Sequence, residues 1–238
     1  MINQFSRTEL IIGKKGIEKL NSVKVAIFGI GGVGSFVVEA LVRAGIKNFV
    51  LVDNDTISLT NLNRQLIATH KTIGKYKVDV MKERILDINP EAKVAVYKEF
   101  YMPDSECKII DESINYVVDA IDTVTAKIGL VIECNKLNIP IISSMGTGNK
   151  LHPEMFEITD IKKTSICPLA RVIRKQLKSR GIEKLKVLYS KEEPIKPNQE
   201  LTHILNDTSK KQVPSSISFV PSVAGLMIAG EVIRDLIK

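Results

Sequence analysis

A glycine-rich turn between an apolar run and an amphipathic helix constrains this chain more than any other feature. Residues 23–29, VKVAIFG, are apolar and β-rich, as a buried parallel strand should be. Gly29, Gly31 and Gly34 then make G-x-G-x-x-G, with an extra glycine at Gly32, and SFVVEALVRAG reads as a helix ending near Gly45. Glycines let the backbone turn tightly and approach a phosphate, and the helix start adds exposed N–H groups and a positive dipole end. Asp53 closes a second strand, NFVLVD, 19 residues past Gly34. An acid in that place can bind both ribose hydroxyls of a nucleotide. The pattern predicts nucleotide binding and leaves NAD, FAD and ATP open.

The rest of the chain repeats the alternation. Strands are predicted at 93–97, 115–119 and 139–143, with helices at 75–88 and 123–137. Strands alternating with helices imply parallel β-α-β units, and right-handed crossovers then give an α/β fold with a doubly wound, mainly parallel sheet. After Gly148 come a strand at 155–160, a helix at 168–180, a strand at 185–189 and an apolar helix at 221–237, a C-terminal α/β extension. Ala224, Gly225, Ala229 and Gly230 permit close packing of that last helix. Residues 191–215, with Pro194, Pro197 and Pro214 among polar residues, read as a mobile loop. The 238 residues suit one domain, with a nucleotide-binding half at 1–148 and a substrate-binding and dimerisation half at 149–238.

Several classes are disfavoured. No apolar run approaches the ~20 residues that span a bilayer, and MINQFSRTEL lacks the basic-then-apolar order of a secretory signal. A cytoplasmic protein without a membrane partner is expected. The three cysteines, Cys107, Cys134 and Cys167, form no C-x-x-C pair, so a four-thiolate zinc site cannot be built. His70, His152 and His203 are equally scattered.

The stretch after Asp53, residues 52–65 (VDNDTISLTNLNRQ), argues for ATP over NAD. It concentrates Asp55, Asn61, Asn63, Arg64 and Gln65, and Lys77 follows; Arg64 and Lys77 can neutralise a triphosphate. Asp119 and Asp122, in VVDAIDT, fall at the carboxyl end of a strand, where such sheets bind ligands. A carboxylate there is placed to hold Mg²⁺ near the α-phosphate.

Taken in order, G-I-G-G-V-G-S, D-N-D, N-L-N-R-Q, G-K-Y-K and D-A-I-D resemble the ubiquitin-activating-enzyme-like adenylation superfamily, over residues 7–148. The resemblance implies that Gly29, Gly31, Gly32, Gly34, Asp53 and Asp55 hold the nucleoside side of ATP. It implies that Asn61, Arg64, Gln65 and Lys77 contact its phosphates and that Asp122 coordinates magnesium. Arg7, in FSRTELIIG, is similar to an arginine that members reach into the partner subunit's site, so a homodimer is implied. Arg7, Arg64, Lys77 and Asp122 are thereby cast as catalytic.

The second half resembles the tRNA threonylcarbamoyladenosine dehydratase branch, in S-S-M-G-T-G-N-K, in the run from Asp160 to Ile182, and in P-S-S-I-S-F-V-P-S-V-A-G. That branch implies a tRNA carrying threonylcarbamoyladenosine as partner, ATP-dependent activation of its threonyl carboxylate, and ring closure. The alternative is adenylation of a ubiquitin-like sulfur carrier, with a cysteine desulfurase or sulfur acceptor as partner; members of that kind usually carry the zinc cysteines this chain lacks. Cys167, before Pro168 at a helix start, reads either as a nucleophile or as a packed core thiol.

Charge bears on the tRNA reading. The net charge is +7, and residues 162–191 concentrate lysines and arginines. On the helix at 168–180, Leu169, Val172, Ile173 and Leu177 are expected inward, and Arg171, Arg174, Lys175 and Lys178 outward as tRNA-backbone contacts. A plain solvated face fits the same charge.

Overall fold

β1 (Lys24–Phe28) is the hub of the sheet. Val25 and Ile27 enter one core while Ala26 and Phe28 enter the other, which is why the strand reads as an unbroken apolar run. The computed structural model describes residues 2–103, 108–196 and 214–238. Cys107, Pro197, His203 and most of the expected 191–215 loop lie outside the described residues.

β1 pairs in parallel with β2 (Asn48–Val52) and β4 (Tyr116–Asp119). Beyond them lie β3 (Lys93–Tyr97), β5 (Ile141–Ser144), β6 (Phe156–Asp160) and β7 (Lys186–Ser190), in the order β3-β2-β1-β4-β5-β7-β6. Among the described residues only β6, at one edge of the sheet, is antiparallel. The sheet is therefore doubly wound and mainly parallel, and the second half adds its strands to the same sheet. The strand order reverses between β1 and β4, so the connections from their carboxyl ends diverge and leave a crevice.

Helices α2 (Gly34–Ala44), α3 (Lys77–Ile88) and α6 (Phe219–Leu236) cover the face of Val25 and Ile27. On the other face, α4 (Val124–Lys136) packs with Tyr101, Ile109, Ile110 and Ile114 from the β3–β4 crossover. α4 also packs on α5 (Pro168–Lys178). The small residues of α6 act as the sequence predicts at Gly225: a Cβ there would sit 2.5 Å from the Val33 carbonyl oxygen, so α6 rests directly on the start of α2. No helix among the described residues is long and apolar enough to cross a membrane.

One element escapes the sequence reading. Residues ahead of β1, to which no element is assigned from sequence, form α1 (Ser6–Ser22), bent at Gly13, whose φ is 72°. Ile12, Gly16 and Leu20, spaced by four, give it a face toward the core. Leu10, 88% exposed, and Ile11 blur that pattern because they face solvent.

The carboxyl end of α6 is fixed to the sheet by charge. Lys186 donates to Glu231 and to Asp235, and Tyr116 Oη donates to Asp235 at 2.9 Å. Burial raises the Asp235 pKa, but hydrogen bonds from Lys186, Lys238 and Tyr116 outweigh it and hold it at about 2. A depressed acid contributes stability that is complete above its unfolded pKa near 3.8 and is lost as pH falls through about 2. Asp235→Asn is expected to cost about 1–2 kcal/mol at pH 7, after discounting for partial solvent screening. Denaturant midpoints should show the difference shrinking below about pH 4; a constant difference down to pH 3 would contradict this role.

Candidate active site

The crevice at the β1–β4 switch point is a cavity of about 600 Å³. Its floor is the glycine turn. Gly29 has φ +90°, and a Cβ there would lie 2.7 Å from the Ala120 carbonyl oxygen. A Cβ on Gly34 would meet the Gly29 carbonyl oxygen at 1.8 Å, so Gly34 closes the turn rather than lining the cavity. Gly31 and Gly32 do line it, ahead of the first turn of α2.

Asp53 holds the turn in place. Its Oδ2 accepts from the Ile30 N–H at 2.7 Å and its Oδ1 from the Asp55 N–H at 2.9 Å. Burial raises its pKa against the opposing pull of Lys77. Lys77 begins α3, is buried, and places Nζ 2.6 Å from Asp55 Oδ2 and 4.0 Å from Asp53 Oδ1. The backbone makes that placement reproducible: Lys77 N–H donates to the Asp55 carbonyl and Ile57 N–H to the Lys75 carbonyl. One wall thus carries a cation and two carboxylates.

The segment read from N-L-N-R-Q forms the next wall. A 3-10 turn at Leu59–Asn61 is closed by a capping box between Ser58 and Asn61. Arg64 Nη1 donates to the Thr60 carbonyl and to Asn63 Oδ1, while Asn63 Nδ2 is spent on the Ser216 carbonyl. Burial lowers the Arg64 pKa, and among the described residues no carboxylate pairs with this guanidinium. Gln65 is buried, with Oε1 lacking a donor among the described residues. A desolvated cation without a counter-charge facing a cavity favours an anion.

A second cavity of about 370 Å³ adjoins the first. Gly32, Arg64, Ala120, Ile121 and Asp122 belong to both walls. Residues Ser144–Gly148 and Leu169 line the far side.

The residues picked from sequence therefore gather as expected at the glycine turn, Asp53, Asp55, Asn61, Arg64, Gln65, Lys77 and Asp122. Two expectations, for Asp119 and Arg174, need correction. Asp119 is fully buried, paired with Lys127 at 3.0 Å, and lines neither cavity. Arg174 is half-buried rather than free in solvent: its Nη1 donates to the Ile161 and Thr164 carbonyls and to Thr164 Oγ1, fastening α5 to the preceding turn. Arg7, offered by the resemblance to a partner subunit's site, is an exposed residue of α1 and does not line the cavity of its own chain.

Val172, expected inward, is 44% exposed; Ala170, Ile173 and Leu177 fill the core side of α5. Arg171, Lys175 and Lys178 are exposed and, with half-buried Arg174 and the Lys162–Glu183 pair, line a separate, mainly basic groove of about 470 Å³. Cys167 is a buried free thiol in the α5 core, and Cys134 is buried with its pKa pushed up to about 12 by burial.

Phe100 and Tyr101 are cavity residues that sequence reasoning missed. Tyr101 packs edge-on against Phe28 at 5.1 Å, and Phe100 is 51% exposed at the cavity. An aromatic pair a few residues past the end of a parallel strand, at the ligand-binding edge, was the available signal.

The ThiF family's sequence signature matches residues 5–238. The chain belongs to the ThiF family. This ThiF-family chain is 48% identical to the tRNA threonylcarbamoyladenosine dehydratase of Bacillus subtilis, over 100% of this chain and 96% of that protein. The enzyme of that name from Escherichia coli is 39% identical over 74% of this chain and 66% of its own length. A crystal structure of the E. coli tRNA N6-threonylcarbamoyladenosine dehydratase in complex with ATP superposes with a TM-score of 0.87 at 31% identity, covering 98% of this chain and 93% of that one.

Proposed function

We propose that this chain is an ATP-dependent tRNA threonylcarbamoyladenosine dehydratase, which activates the threonyl carboxylate of the modified nucleoside beside the anticodon and closes it to the cyclic form. The observation that carries the reading is the wall shared by two cavities, where half-buried Arg64, without a carboxylate partner among the described residues, stands with exposed Asp122. Identity of 48% along the whole chain to a relative of that name supports it.

In this reading the larger cavity takes ATP. Asp53 and the glycine turn hold the ribose side, Phe100 offers a face for the adenine, and the start of α2 with Asn61, Arg64, Gln65 and Lys77 follows the phosphates. Asp122 fits Mg²⁺, because that ion is ordinarily held by one or two carboxylates plus phosphate oxygens. Bound there, the ion would neutralise charge on the departing pyrophosphate.

The smaller cavity takes the threonylcarbamoyl group, so that its carboxylate meets the α-phosphate at the shared wall. A carboxylate oxygen attacks the α-phosphorus and pyrophosphate leaves. The ureido oxygen then attacks the acyl carbon, AMP departs with the former carboxylate oxygen, and the ureido N–H gives up a proton. The protein contributes orientation and charge stabilisation, and no protein nucleophile is required. Burial of Cys167 agrees with that economy.

Purified protein with ATP and modified tRNA is expected to release AMP and pyrophosphate in step with the cyclic nucleoside, seen by mass spectrometry after mild preparation. ADP as the product would sink this reading.

The basic groove beside α5 is proposed to hold the tRNA backbone, in the cytoplasm. Arg7 is proposed to act across a homodimer; solvent-facing Leu10 and Ile11 on the same helix supply apolar surface for a second copy. Mixing inactive Arg7→Ala with inactive Asp122→Ala should restore part of the activity through hybrid dimers. No recovery after confirmed subunit exchange would count against action in trans.

A further inference from the structure

Lys127 is 1% exposed and lines neither cavity, yet its ammonium lies at the point where both cavity walls begin. Nζ is 3.1 and 3.0 Å from the two Asp119 carboxylate oxygens, 3.3 Å from Ser143 Oγ and 2.7 Å from the Ser144 carbonyl oxygen. Ser143 Oγ also donates to Asp119 Oδ2. The set ties α4 to the ends of β4 and β5.

The ladder shows what the pair does. Val117 N–H donates to the Pro140 carbonyl, and the last register partners of β4 and β5 are Asp119 and Ser143. Parallel pairing advances in steps of two residues, so the next rung would join Ile121 N–H to the Ser144 carbonyl. That rung is replaced at both ends. Ile121 N–H donates to Asp119 Oδ1, and the Ser144 carbonyl accepts from Lys127. Beyond this point Ala120 stays bonded to β1 through the Phe28 carbonyl, while Met145 stays bonded to β7 through the Leu188 carbonyl. The two chains separate, and the smaller cavity lies between Ala120–Asp122 on one side and Ser144–Gly148 on the other.

A buried ion pair is a poor way to gain stability, because desolvation offsets the attraction and a packed apolar pair often does as well. We propose that the Asp119–Lys127 pair is a positioning device: it ends the β4–β5 ladder one rung early, holding the cavity open and setting Asp122 against the acyl subsite. The proposal rests on the dehydratase reading for its catalytic consequence, but not for the structural one.

The test compares wild type with the double variant Asp119→Leu/Lys127→Met, which leaves no unpaired buried charge. A melting temperature close to wild type, a KM for ATP within about threefold and a kcat for AMP release lower by about a hundredfold are expected, since small misplacements of reacting groups have effects of that size. Hydrogen exchange in the ligand-free protein should change at residues 120–123 and 144–148, with β1 and β2 unaltered. A folded double variant with wild-type kcat, or with unaltered exchange in both segments, overturns the proposal. If the double variant does not fold, Ser143→Ala, which removes one arm of the network, should reproduce the exchange change and a smaller fall in kcat; no change in either overturns it. Lack of AMP from wild type with modified tRNA would sink the dehydratase reading, and the exchange measurement would then decide the positioning role alone.

Discussion

Asp122→Ala is expected to cut AMP release by at least about a hundredfold, the scale on which loss of a transition-state charge stabiliser or metal ligand is felt. The unfolding midpoint should barely move. Asp122 is exposed, and its one side-chain contact among the described residues is a 3.4 Å bond from Thr123 Oγ1. The clean separation matters because neighbouring charges cannot be removed so cheaply. Lys77→Met would leave Asp53 and Asp55 facing each other on one wall, so loss of activity there would mix chemistry with local collapse. Single-turnover AMP formation beside ATP affinity is the measurement. Activity of Asp122→Ala within threefold of wild type would remove this carboxylate from the mechanism.

Replacing Arg171, Lys175 and Lys178 together by Glu is expected to weaken tRNA binding by about a hundredfold or more at low salt, leaving ATP affinity unchanged. Each lost phosphate contact should also flatten the log–log salt slope by about 0.7–0.9. All three side chains are exposed along the groove and none belongs to the nucleotide cavity. Arg174 is left out for a structural reason: it carries three hydrogen bonds to the turn at Ile161 and Thr164, and Glu there would unfasten α5. Wild-type affinity for tRNA across a salt series in the triple variant would reduce this face to ordinary solvated charge.

Much of the fold was legible because its signals are local. A strand buried on both faces shows as the apolar run VAIF, and the glycines appear where the backbone has no room for a side chain, as at Gly29 and Gly34. α1 was missed because Gly13 breaks its helical geometry and Leu10 and Ile11 interrupt its apolar face. Phe100 was missed because one exposed aromatic after a strand has no periodicity to betray it.

The candidate site divides the same way. Asp53 and Asp122 could be chosen because the crevice gathers the carboxyl ends of particular strands, and Arg64 and Lys77 because they are the cations in and just after the polar segment that follows β2. Asp119 and Arg174 could not be assigned. Each is a charged residue in a pattern that fits either solvent or a buried partner, and the partner is supplied by another element.

The sequence by itself determined the doubly wound sheet, the nucleotide turn and the set of polar residues offered to the crevice, because strand burial, glycine freedom and strand-end position are properties of short segments. Tertiary structure alone decided which charges remain available for chemistry. Lys127 claims Asp119, the turn at Ile161–Thr164 claims Arg174, and Arg64 is left without a carboxylate among the described residues. A charge removed from water settles on the nearest fixed partner, and that partner is set by packing between elements far apart in the chain.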